Sequence, residues 1–272
     1  MQSKYFSESY IKSEEKEEKS EWFSETRFGT INEKRNGVFL MKKIVDYSAG
    51  IAAGIAVAVI LLISAFELAM YSDFGYYERE YEKYDVLSEL DMEMEDAMYV
   101  TEEMMSYLRG DREELRVVTV VEGVRQDFFN EQDRFHMEEV QRLFLGGLKI
   151  RVGAGMVLFA SVLVMLFLNR RTCLRVLCRS YQAVLGVLTV LFAGLGVWVA
   201  LDFNSVFVKF HEIFFDNDLW IFDPAEDYMI RMLPEGLFYD FVLRIGGIFI
   251  VGVLIFLALS IVAPKMIRNT NE

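Results

Sequence analysis

Apolar positions gather into four long runs along this chain: Ser48 to Met70, Val152 to Leu168, Ala183 to Leu201 and Ile245 to Ala263. Each holds roughly 17 to 23 mostly apolar residues, enough to cross a hydrocarbon core as a helix, so each predicts a transmembrane span. Between them the pattern changes. From Tyr81 to Leu108, apolar residues such as Tyr84, Leu87, Leu90, Met94, Ala97 and Met98 recur at spacings of three and four, which predicts an amphipathic helix ended by Gly110-Asp111. The β-branched run Val117 to Val121 fits a strand or a loop against the membrane equally well. A second amphipathic helix is expected from Gln126 to Leu145, with Phe129, His136, Val140 and Leu143 on one face turned to the bilayer surface or to the transmembrane bundle. Residues 202–242 are dense in Phe, Trp, Tyr and Asp, and aromatic side chains of this kind settle at headgroup level. That segment is expected to dip into the interface.

These elements add up to an all-α, four-helix transmembrane protein with amphipathic interfacial helices in its first extracytoplasmic segment. A single membrane domain would cover residues 43–268, with outer segments 71–150 and 202–242. Residues 1–40 are rich in Lys, Glu and Ser and lack a sustained apolar period, so residues 1–42 are expected to form a disordered cytoplasmic tail. Lysines precede the first span, but its apolar core outruns a signal-peptide h-region and no convincing small-x-small cleavage site follows, so it reads as an anchor.

Charge sets the orientation. Arg170, Arg171, Arg175 and Arg179 follow the second span with no acid among them, which places that connection in the cytoplasm; Lys42, Lys43, Lys265 and Arg268 agree. Both termini are then expected inside. The net charge of −13 excludes nucleic acid as a partner, since a phosphate backbone needs clustered Lys and Arg. Cys173 and Cys178 both lie in the basic cytoplasmic connection, so no disulfide framework is expected.

The chain has two histidines, His136 and His211, and this orientation puts both at the outer boundary of the membrane. Histidine is the side chain best suited to proton transfer near neutral pH. In FNEQDRFHMEEV, Asp133 and Glu139 lie three residues either side of His136 and reach the same helix face. His211 is followed by Glu212, Asp216, Asn217, Asp218, Trp220, Asp223 and Asp227, with Lys209 and Arg231 the nearest cations. A zinc site is disfavoured because no H-E-x-x-H or comparable spacing occurs. Ser72, Ser106 and Ser205 sit in no nucleophile-elbow context, so an attacking group would belong to the substrate. Transport is disfavoured because the spans carry no convincing interior ionisable pair beyond Glu67.

The segments FFNEQDRFHMEEVQRLF, SYLRG at Ser106 to Gly110, and FHEIFFDNDLWIFDPAEDYMIRMLPEGLFYD resemble the family of four-span bacterial membrane proteins that includes the lipoprotein intramolecular transacylase. The resemblance covers roughly residues 45–265; Asp133 and Glu139 stand where the pattern has the other acid, and Gln141 where a basic residue is usual. It implies an acyltransferase of the bacterial cell membrane that moves the sn-2 acyl chain of a diacylglyceryl lipoprotein to the α-amine of its N-terminal Cys, with no cofactor and no second lipid. The alternative is a non-catalytic sensor or assembly protein whose acidic outer segment binds a partner. Under the family reading His136 and His211 are the catalytic pair, with the order leaning to His136 as base and His211 as acid or oxyanion donor. Asp133, Glu139, Glu212, Asn217, Trp220, Asp223, Asp227 and Arg231 are the supporting or substrate-binding candidates, and membrane lipids and the lipoprotein are the expected partners.

Overall fold

A computed structural model describes residue 37 and residues 39–269 of the chain. Four helices are long and apolar enough to cross a membrane: α1 (Phe39–Tyr71), α5 (Glu131–Asn169), α6 (Cys173–Leu201) and α9 (Glu235–Asn269). The expected tail lies largely outside the described residues, and Phe39 to Lys42, which the sequence reading gave to it, extend α1. Helix α1 is the most enclosed span, and small residues make this possible. Ala53, Ala56, Ala65 and Ala69 are buried, and a Cβ at Gly50 or Gly54 would press on Ser180 or Val184 of α6. Where lipid removes the usual apolar driving force, such close backbone approach is what holds spans together. Near the C-terminal end of α1, Glu67 pairs with Arg109 at 3.3 Å and with Arg151 of α5.

Outside the spans, the helix expected over Tyr81 to Leu108 is divided into α2 (Gly75–Lys83), α3 (Val86–Leu90) and α4 (Met94–Arg109). The breaks fall at Asp85 and Asp91, both left-handed at φ 54° and 45°, a conformation that Asp tolerates better than most side chains. Gly110, at φ 83°, closes α4. The run Val117 to Val121 resolves as a strand: β1 (Val118–Val121) pairs antiparallel with β2 (Val124–Asp127). Glu122 and Gly123, at φ 53° and 70°, make its two-residue turn. Tyr77, Tyr81, Leu90, Val100, Phe128 and Phe129 form the buried centre of this layer beyond the spans, joined by Met232 and Leu237 from farther along the chain.

Helix α5 corrects the expectation of a separate interfacial helix over Gln126 to Leu145. It runs unbroken for 39 residues, about 58 Å at the α-helical rise, against a hydrocarbon core of about 30 Å. Its apolar part, Val152 to Leu168, spans the membrane, and its first five turns project beyond. Asn130 caps this projecting end through a capping box: its side chain accepts from Asp133 N–H at 2.9 Å, and Asp133 accepts from Asn130 N–H at 3.0 Å.

The segment between α6 and α9 holds α7 (Phe203–Phe214) and α8 (Tyr228–Met232). Asp202 caps α7 by accepting from Ser205 N–H at 3.0 Å. Phe210, Ile213 and Phe214 are exposed while His211 is buried, so α7 has an apolar outer face and carries its histidine inward. Between α7 and α8 runs an irregular strap, residues 215–227.

Candidate active site

The strap is what brings the histidines together. On α5, Gln132, His136 and Glu139 form one stripe at helical spacing, and the two residues flanking His136 grip the strap. Gln132 Nε2 donates to the carbonyls of Leu219 and Ile221 at 3.1 and 3.0 Å. Glu139 Oε1 accepts from Asn217 Nδ2 at 3.0 Å, and Asn217 Oδ1 accepts from Leu219 N–H at 2.9 Å. Lower down, Asn130 Nδ2 donates to Asp227 Oδ1 at 2.5 Å, while Asp227 Oδ2 accepts from Asp223 N–H at 2.7 Å. The strap is therefore pinned to α5 at three levels.

Held this way, the two imidazoles lie nearly parallel with ring centroids 5.9 Å apart and an angle of 26° between planes. Phe215 packs on both, at 4.9 Å from His136 and 5.4 Å from His211. Phe222 closes on His136 at 5.4 Å; Trp220 and Phe207 lie on His211 at 4.8 and 4.2 Å. This apolar wrapping decides the protonation state. Burial, with a smaller push from His211, lowers the His136 pKa to about 4, and burial also lowers that of His211. Both rings are neutral at pH 7.

The tautomer of His211 follows from its neighbour. Its Nδ1 lies 2.8 Å from the carbonyl oxygen of Phe207. A carbonyl only accepts, so Nδ1 carries the proton and Nε2 is left with a free lone pair. His136 Nδ1 is buried with no hydrogen-bond partner. A neutral imidazole with a bare nitrogen beside a second neutral imidazole is an arrangement for moving a proton in a dry site.

Among the other predicted site residues, Trp220, Asn217 and Glu139 are at the centre, the last two as strap contacts. Asp133 is fully buried and hydrogen-bonds the cap of α5; burial and nearby Asp227 outweigh the Asn130 N–H bond and raise its pKa to about 6. Neither Asp133 nor Glu139 is hydrogen-bonded to His136, contrary to the carboxylate–imidazole pairing their spacing suggests. Asp223 accepts from Ala225 N–H at 2.9 Å and shapes the strap's turn. Two candidates lie elsewhere. Glu212 is exposed and pairs with Lys209 at 3.0 Å; Arg231 donates to Glu122 Oε1 at 2.8 Å and to the Glu89 carbonyl at 3.1 Å, tying α8 to the hairpin turn. Sequence reading missed Asn130, Gln132, Phe207, Phe215 and Phe222. The i±4 spacing of Phe207 and Phe215 from His211 was an available signal, whereas the partners of Gln132 lie 87 and 89 residues away.

The model of the lipoprotein intramolecular transacylase family, Lit, matches residues 51–238. The chain belongs to that family. The match spans both histidines and the whole strap, and membership makes this Lit protein a membrane-integral acyltransferase. No curated protein sequence matches it. Among solved structures, the membrane-integral lipoprotein intramolecular transacylase Lit from Bacillus cereus is similar with a TM-score of 0.66 and 20% identity, covering 82% of this chain and 97% of that one. A variant of the same Bacillus cereus protein with one histidine replaced by arginine gives 0.67 and 18%, covering 87% and 99%. At such identities the likeness is one of fold.

Proposed function

We propose that this Lit protein transfers the sn-2 acyl chain of a diacylglyceryl lipoprotein to the α-amine of the lipoprotein's own N-terminal Cys, and that His136 and His211 carry the reaction. The observation behind this is the pair itself: the chain's two histidines stacked in a dry aromatic pocket at the projecting foot of a transmembrane helix. The α-amine has an ordinary pKa near 7.7 to 8.0, so at pH 7 it arrives largely as ammonium and needs a base.

Nε2 of His211 is the base in this scheme, because Nδ1 is committed to the Phe207 carbonyl. This reverses the order that the sequence reading leaned to. The freed amine nitrogen attacks the sn-2 ester carbonyl, and an N–H of His136 supports the oxyanion that forms. As the bond from the carbonyl carbon to the glycerol oxygen breaks, His211 returns a proton to that oxygen. In sum the ammonium gives up two protons, one to glycerol and one to solvent, and an ester becomes an amide. Both reacting groups sit on one molecule, so orientation supplies much of the rate, up to several kcal/mol in well-held cases.

The site belongs at the outer leaflet, with both termini cytoplasmic and residues 43–268 as the catalytic domain. The arginines at the α5–α6 connection support that orientation, and the exposed Phe210, Ile213 and Phe214 of α7 suit contact with lipid next to the site. The test uses a bacterial host that makes only diacylated lipoproteins. Wild-type chain should convert them to N-acyl lyso-forms, and His136→Ala or His211→Ala reaching the membrane in equal amount should not. An unchanged lipid pattern with well-expressed wild type would overturn the reading.

A further inference from the structure

The two oxygens of the Glu139 carboxylate have different surroundings. Oε1 accepts from Asn217 Nδ2. Oε2 is buried and has no hydrogen-bond partner, and among the described residues no Lys or Arg forms an ion pair with Glu139. Of the nearby cations, Arg134 is committed to Asp127 and the Phe129 carbonyl, Lys209 to Glu212 and Arg231 to Glu122, while Arg142, three residues along α5, is exposed and forms no ion pair with Glu139. A buried acceptor left bare is unfavourable, and such an oxygen beside a catalytic pair calls for a ligand donor to complete it. Glu139 lies one helical turn from His136 on the same stripe of α5, and Asn217 holds its free oxygen in place. The two histidines it neighbours are neutral and bring no positive charge.

Of the groups the substrate must deliver to this place, the α-ammonium is the cation, with three N–H donors. We propose that Glu139 Oε2 is the subsite for that ammonium: it accepts one N–H and orients the nitrogen so that another faces Nε2 of His211. The inference rests on the transacylase reading and adds what selects the substrate at that site. Glu139 binds and positions, and the proton leaves through His211. The subsite also gives a reason for product release, because the amide nitrogen of the product is uncharged and loses the charge-assisted bond.

The probe is a synthetic diacylglyceryl-cysteinyl peptide analogue in which an alkyl ether replaces the sn-2 ester, so that it binds but cannot transfer, made with a free α-amine and with an N-acetyl cap. Full-length wild type in nanodiscs is expected to bind the free-amine form about tenfold more tightly than the capped form, as loss of a charge-assisted hydrogen bond implies. Glu139→Gln keeps an oxygen for Asn217 but turns an NH2 towards the amine, so the preference should vanish while the melting temperature holds. If that variant fails to accumulate, Glu139→Asp, with its carboxylate drawn back by a methylene, should show a preference reduced severalfold. Wild type that binds both forms alike, or either variant keeping the full preference, overturns the subsite. Wild type that binds neither form overturns the transacylase reading itself.

Discussion

Nε2 of His211 is available for chemistry because one backbone carbonyl holds the opposite nitrogen. Nitrogen-15 NMR of the protein in micelles should therefore show His211 as the Nδ1–H tautomer; an Nε2–H tautomer would remove it as the base. The pH profile is fixed by the same surroundings. Both histidine pKa values are lowered, that of His136 to about 4, and a lowered pKa means the ring sheds its proton at more acidic pH and stays neutral down to that point. The kcat/KM should thus stay level through neutral pH, fall above about 8 as the substrate loses the ammonium that the site receives, and show a histidine break only below their ordinary value of about 6.5. A histidine break above 6.5 would contradict the dry, aromatic character of the pocket. The two histidines were legible in the sequence because their setting beside apolar spans is unusual. Gln132 and Asn130 were not, since a neutral amide acquires its meaning only when a distant strap is laid against it.

Element by element, the four spans were the most legible part, because membrane thickness forces a long unbroken apolar run. The breaks at Asp85 and Asp91 were hidden, as the apolar spacing continues across both while the backbone turns left-handed. Likewise α5 reads as two helices because its apolar stripe and its all-apolar span have different patterns, yet the hydrogen-bond ladder does not stop between them. The strap is the element on which the site depends. Asn217→Ala removes the bond to Glu139 and the support of Leu219, and is expected to lower stability by about 1 kcal/mol while cutting turnover more than that loss explains, because Trp220 and Phe215 are released from the histidines. Thermal melts and single-turnover rates on the same preparation separate the two effects, and unchanged turnover would mean the strap does not order the site. Gly110→Ala, which forces a Cβ into a left-handed residue at φ 83°, should cost about 1–2 kcal/mol, read as a lower melting temperature.

At the scale of the whole molecule, the long α5 connects the bilayer to the chemistry: its apolar end is a span and its projecting end carries His136, Gln132 and Glu139 together. This geometry requires the α5–α6 connection and the β1–β2 turn to lie on opposite sides of the membrane. In a background with Cys173 and Cys178 replaced by Ser, a cysteine placed at Gly123 should label in intact cells with an impermeant maleimide, and one placed at Arg171 should label only after lysis; the reverse pattern would invert the proposed orientation. The most direct measurement of the central claim is a time course of purified protein with a diacylglyceryl-cysteinyl lipopeptide, followed by tandem mass spectrometry. Fragmentation is needed because moving an acyl chain within one molecule leaves its mass unchanged. Wild type should shift one acyl chain from the glycerol fragment to the cysteine amine with no added lipid, and His136→Ala and His211→Ala should each slow this by about 10² or more. A transfer that proceeds at the wild-type rate in either variant, or that needs a second lipid as donor, would contradict the account.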